Sequence, residues 1–122
     1  MTVTKKVMIA EDDKFLSNAY KVKLTKEGFD ICMAADGIEV FEKLEDFRPD
    51  VILLDLIMPR KDGFTVLEEL KKNPNYRDIP VVIASNLGQK EDLDRGLALG
   101  AKDYVIKSEM SLEDLVKKIK SA

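Results

Sequence analysis

Val51-Ile52-Leu53-Leu54 is an unbroken apolar run that ends on a single acid, Asp55. A strand made of such a run has no polar face and must be covered on both sides, as in a parallel sheet. Val7-Met8-Ile9-Ala10 and Val81-Val82-Ile83-Ala84 have the same form, and Tyr104-Val105-Ile106 is a shorter version. Phe29-Asp30-Ile31-Cys32-Met33 has mixed polarity, which suits an edge or half-buried strand.

Helical spacing fills the gaps between these runs. Phe15, Leu16, Ala19, Tyr20 and Leu24 form the first face, opened by Asp13 as N-cap and stopped by Gly28. Ile38, Val40, Phe41 and Leu44 follow the turn or cap signal Asp36-Gly37, and Arg48-Pro49 breaks that helix. Phe64, Val66, Leu67 and Leu70 follow Asp62-Gly63 and end at Asn73-Pro74-Asn75. Leu93, Leu97 and Leu99 mark a fourth helix closed by Gly100. Leu112, Leu115, Val116 and Ile119 mark a fifth, capped by Ser111, with lysines near its end where cations suit the dipole. Five strand–helix units joined by short connections predict an α/β fold. It is a doubly wound parallel sheet with helices on both faces, in one domain over residues 1–122.

Composition excludes several classes. Basic and acidic residues number 20 and 23, so the chain lacks the basic excess of a nucleic-acid binder. No apolar run approaches the ~18 residues of a membrane span. Residues 1–6 carry no signal-peptide pattern, and Cys32 is alone, so a reducing cytoplasm is the expected compartment. The absence of histidine argues against imidazole-held zinc or haem and against Ser-His-Asp chemistry, and leaves carboxylates as the ligands for any hard metal.

In a parallel sheet all strand C-termini lie on one edge. Glu11, Asp12 and Asp13 follow the first strand, Asp55 the third, Ser85 the fourth and Lys107 the fifth. Singly, each is commonplace: a cap, a turn residue or a solvated charge. Jointly, they converge where ligands of open α/β sheets bind. Crowded carboxylates raise one another's pKa, and a divalent cation relieves this. Metal, lysine and hydroxyl together form a cradle for a phosphoryl group, with Asp55 as the nucleophile.

These residues resemble the receiver domain of bacterial two-component response regulators, the group that includes the single-domain chemotaxis type. Glu11-Asp12, Asp55 in Leu54-Asp55-Leu56-Ile57-Met58-Pro59, Asp62-Gly63, Ser85, Tyr104 and Lys107 carry the resemblance, which spans residues 6–119. It implies a flavodoxin-like sheet of order 2-1-3-4-5 and phosphorylation of Asp55 by a histidine kinase or phosphotransfer protein. It implies Mg2+ (or Mn2+) on Asp12, Asp55 and the backbone carbonyl of Ile57, with Glu11 acting through water. Ser85 and Tyr104 are then the switch residues, reporting to a protein target on the face of the fourth helix, fifth strand and fifth helix. The chain is expected to be no enzyme beyond its own phosphoryl acceptance and loss. It is expected to be a monomer or weak phosphorylation-dependent dimer with no nucleic acid or membrane bound.

The chain departs from the family pattern in four places. Glu11 replaces the commoner aspartate, and Ser85 stands where threonine is also common. Asn86 stands where a small residue is usual, and can narrow the site or hydrogen-bond the phosphoryl group. Ser108 stands where proline usually follows the lysine, so a cis peptide is not expected there. Ile57 and Leu87 flank the site with apolar side chains, which predicts hindered water attack and a longer-lived phosphoryl state. Two rival readings remain. One is a receiver-like interaction module that does not switch by phosphorylation. The other is an aspartate-nucleophile phosphatase, which Ile57 disfavours by standing where that chemistry needs a second acid.

Overall fold

A computed structural model describes residues 5–122. The reading of the N-terminus as leaderless falls partly on residues 1–4, outside the described ones. The elements run β1 (Lys6–Ala10), α1 (Lys14–Lys26), β2 (Asp30–Ala34), α2 (Gly37–Leu44), β3 (Val51–Leu54), α3 (Gly63–Lys72), β4 (Val81–Ser85), α4 (Lys90–Ala98), β5 (Asp103–Ile106), a 3-10 turn (Lys107–Glu109) and α5 (Leu112–Ser121). The five strands are parallel in the order β2-β1-β3-β4-β5, the flavodoxin-like arrangement.

The apolar runs behave as their composition dictates. Met8, Ile52, Leu54, Val81 and Ile83 face one core, shared with Val40 and Leu44 of α2 and with Val66, Leu67 and Leu70 of α3. Val7, Ile9, Val51, Leu53, Val82 and Val105 face the other, against Tyr20 and Leu24 of α1 and Leu115, Val116 and Ile119 of α5. Strand side chains alternate between the two faces, so each run feeds both cores. Ile52, Leu53 and Leu54 are essentially fully buried, and each such side chain stabilises the fold by about 2 kcal/mol.

The helix boundaries follow local chemistry. Asp13 accepts from the backbone N–H groups of Phe15 and Leu16, and Asp62 from that of Thr65. Ser111 and Asp114 form a reciprocal capping box at α5. Gly28, at φ 93°, turns the chain out of α1 while Phe29 N–H returns to Leu24 O, the bond that closes a Schellman end.

Several expected positions are corrected. Phe15 is 84% exposed, because it lies in the first turn of α1 just past the sheet edge. Leu97 and Leu112 are partly exposed, at 48% and 40%, at the margins of their helical stripes. In α4 the buried residue is Gly96, not a leucine. A Cβ there would press on Ile83 Cδ1 at 2.6 Å and Tyr104 Cδ2 at 3.2 Å, so the missing side chain lets α4 approach the sheet. Ser85 lies within β4 rather than after it.

Candidate functional site

The parallel register builds the site. Ala10 pairs with Leu54, and the next residues on those strands are Glu11 and Asp55. Asp55 N–H donates to Ala10 O at 2.9 Å, and Glu11 N–H to Ala34 O at 3.0 Å, so both acids are fixed one step beyond the ladder. Gly63 completes the support: a Cβ there would collide with the Asp55 carbonyl oxygen, so glycine lets the start of α3 seat against this backbone.

Lys107 reaches across from the end of β5. Its Nζ lies 2.5 Å from Glu11 Oε1 and 3.2 Å from Asp55 Oδ2. All three side chains are largely buried. One ammonium therefore serves two buried carboxylates, and Asp12 adds a third, exposed one. Ligand oxygens of Glu11, Asp12 and Asp55 lie within 4.8 Å of one another. Glu11 Oε2 is buried and has no hydrogen-bond partner among the described residues.

The electrostatics register this excess of acid. Burial and the neighbouring Asp55 push the Glu11 carboxyl up to about 8, against the opposing pull of Lys107. Burial works against the Lys107 ammonium, but Glu11 and Asp55 outweigh it and hold its pKa above the ordinary lysine value. A buried, unpartnered carboxylate oxygen among hard oxygen donors fits a divalent cation such as Mg2+ or Mn2+. The acids open onto a cleft of about 350 Å3 that also meets Ile57, Ser85, Asn86 and Leu87.

The sequence-predicted residues Glu11, Asp12, Asp55, Ser85 and Lys107 all come to this one edge. Asp13 does not share the metal-ligating cluster; it caps α1. Ile57 stands at the cleft mouth, 62% exposed, and its N–H lies 3.5 Å from Asp55 Oδ1. Tyr104 lies beside the site: its hydroxyl donates to Leu87 O at 2.6 Å. Burial raises its pKa above the ordinary tyrosine value, while the Ser85 hydroxyl works the other way. Leu87 N–H donates in turn to Ser85 Oγ at 3.2 Å.

Two features escaped sequence reasoning. Beyond its cap on α2, Asp36 takes a forked ion pair from Arg60, with Nε and Nη2 at 2.8 and 3.0 Å. Asn86 and Ser108, which stood out only as departures, meet: Ser108 N–H donates to Asn86 Oδ1 at 3.1 Å. Neither bond has a local sequence signal, because each joins separate loops.

A parallel sheet whose C-terminal edge gathers acids, a lysine and a hydroxyl defines a class of α/β domains with an acidic candidate site at that edge. Within it, the response regulator receiver domain family matches residues 7–120, and the chain belongs to that family. It is 40% identical to response regulator RR06 of Streptococcus pneumoniae over 94% of this chain and 51% of that protein. It is 34% identical to the DNA-binding dual master transcriptional regulator RpaA of Synechocystis over 95% of this chain and 48% of that one. The chain thus spans about half the length of these curated relatives. Among solved structures, the Francisella response regulator 1452 receiver domain superposes with a TM-score of 0.89 at 33% identity, covering 97% of this chain and 95% of that one. The Mn2+-bound form of response regulator Rcp1 superposes with a TM-score of 0.82 at 31% identity, covering 96% and 90%.

Proposed function

We propose that the chain is a phosphorylation-operated switch in which Asp55 accepts a phosphoryl group. The observation that carries this reading is Asp55 itself: a buried carboxylate with Lys107 Nζ at 3.2 Å, in a cluster with more acid than cation. The donor is a sensor histidine kinase or phosphotransfer protein, since the chain has no histidine of its own. A carboxylate oxygen of Asp55 attacks phosphorus. The donor's P–N bond breaks, its electron pair returns to the imidazole nitrogen, and an acyl phosphate forms on Asp55.

Asp12, Asp55 and the carbonyl of Ile57 would hold Mg2+ or Mn2+, with Glu11 acting through water. The ion, when bound, offsets charge on the phosphoryl oxygens. The Mn2+-bound form of Rcp1 supports the choice of ions. Lys107 holds the phosphoryl oxygens from the other side. Ser85 donates its hydroxyl to them once they are present, and Tyr104 follows the loop that its own hydroxyl now holds at Leu87. The face of α4, β5 and α5 then meets a downstream protein. Ile57 and Leu87 stand at the cleft mouth and slow the approach of water, which lengthens the phosphoryl lifetime. The chemistry ends with this acceptance and loss, so the chain turns over no separate substrate.

Incubation with acetyl phosphate and Mg2+ tests the reading by intact mass. The wild-type protein gains one phosphoryl group, labile to hydroxylamine, and Asp55→Asn gains none. An unmodified wild-type protein would refute the phospho-acceptor role.

A further inference from the structure

The end of β4 that carries Ser85 and the turn that carries Lys107 are joined by a bond that depends on the residues next to them. Ser108 follows Lys107 in the 3-10 turn Lys107–Glu109. Near the start of such a turn a backbone N–H has no partner of its own. Asn86 Oδ1 supplies one at 3.1 Å from the loop after β4. The backbone ladder between β4 and β5 ends at Ser85 with Ile106. The Asn86–Ser108 bond therefore adds a side-chain rung just beyond that ladder. It needs both residue types: proline at 108 has no N–H to give, and an aliphatic side chain at 86 has no acceptor.

The same loop is held twice more. Leu87 N–H lies on Ser85 Oγ at 3.2 Å, and the Tyr104 hydroxyl lies on Leu87 O at 2.6 Å. Ser85, Asn86 and Leu87 are thus tied to one another, to β5 and to the turn that carries Lys107.

We propose that Asn86 and Ser108 form a latch that holds the β4–α4 loop in its unphosphorylated position and opens when Ser85 turns toward a phosphoryl group on Asp55. This rests on the phospho-acceptor reading above. Ser85 is bonded to Leu87, and Asn86 lies between them, so a reorientation of Ser85 pulls on the latch. A contact made only in the free state opposes whatever ligand favours the switched one. Asn86 is a positioning residue in this scheme, acting through Ser85 and through the backbone at Lys107.

Beryllofluoride with Mg2+, titrated onto the full chain and followed by the NMR signals of Tyr104, tests the latch. Asn86→Ala and Ser108→Pro each tighten beryllofluoride binding by about fivefold, the worth of one net hydrogen bond. The double variant tightens it no further, because both changes remove the same bond. Ser108→Ala keeps the N–H and binds as wild type does. In the free protein, the Ser108 amide exchanges faster with solvent in Asn86→Ala than in wild type. The proposal is overturned if Asn86→Ala binds no tighter than wild type, if the single effects add, or if Ser108→Ala behaves like Ser108→Pro. Should Ser108→Pro fail to fold, Asn86→Ala and Ser108→Ala still decide it. A wild-type protein that binds no beryllofluoride overturns the phospho-acceptor reading together with the latch. Wild-type binding without tightening in Asn86→Ala overturns the latch alone.

Discussion

Asp36 and Asp55 both stand just past the C-terminal end of a strand, and both are buried, yet they are held in opposite ways. Asp36 accepts from Glu39 N–H at 2.9 Å and takes the fork of Arg60. The Glu39 N–H and then the Arg60 guanidinium hold its carboxyl below the ordinary aspartate value. One acid meets one base, and the account closes. Asp55 instead shares the Lys107 ammonium with Glu11, whose Oε2 has no partner among the described residues and whose pKa is pushed up to about 8. The same residue type at the same sheet edge is structural where charge is matched. Where charge is left unmatched, it marks a candidate cation site.

The largest expected effect breaks the unmatched cluster further. Lys107→Met takes the ammonium from buried Asp55 and from a Glu11 that is partly ionised near pH 8, and costs about 3 kcal/mol at that pH. The cost shrinks at pH 6, where Glu11 is protonated with or without Lys107 and Asp55 alone loses its charged partner. Urea unfolding in EDTA at the two pH values measures it. An equal loss at both would show that Lys107 stabilises by packing rather than by charge.

The second prediction follows from linkage. The Glu11 carboxyl binds its proton up to about pH 8 when folded, against about 4.5 for an ordinary glutamate. Between these values the folded protein holds a proton that the unfolded chain has released. Stability from this group is therefore fully present below about pH 4.5 and is lost as pH rises through about 8. No histidine titrates in that window. In EDTA the Tm of wild type falls from pH 5 to pH 8, and Glu11→Gln flattens the slope. Saturating Mg2+ protects the alkaline side. A Tm that rises steadily over this range would contradict the charge excess at Glu11.

Much of this edge was legible in the chain because buried parallel strands leave a strong mark. Runs such as Val51 to Leu54 fix the strands, and the residue after each run fixes the site. Caps were legible for the same local reason: Asp13, Asp62 and Ser111 each bond within three residues of themselves. Contacts between loops left no such mark. Arg60 lies 24 residues from Asp36, and Ser108 lies 22 from Asn86. Periodicity also failed at stripe margins. It placed Phe15 and Leu97 in the core, but spacing alone does not reveal where a helix overhangs the sheet or where a glycine such as Gly96 makes the closest approach. The excess of acid was visible in Glu11, Asp12 and Asp55. That Lys107 would already be drawn onto Glu11 required the fold.

The matched pair predicts smaller effects. Asp36→Ala removes the α2 cap and costs about 1 kcal/mol. Its lowered pKa keeps Asp36 ionised across pH 6 to 8, so this cost is the same at both values, unlike that of Lys107→Met. Its contribution is present above the unfolded pKa and is lost only as pH falls through the lower folded value.

The smallest effect lies in Arg60, which combines an ion pair with an unfavourable backbone. Its side chain is 56% exposed, so losing the pair in Arg60→Ala costs under about 1 kcal/mol. Its φ of 64° is left-handed, a conformation that disfavours any residue with a Cβ by roughly 1 kcal/mol relative to glycine. Arg60→Gly therefore loses the same pair but gains back the backbone term, and its stability stays within about 0.5 kcal/mol of wild type. Urea midpoints of the two variants separate the terms. If Arg60→Gly falls as far as Arg60→Ala, the backbone carries no strain worth relieving. If both lose as much as Lys107→Met at pH 8, the contrast between a matched and an unmatched acid fails at its matched end.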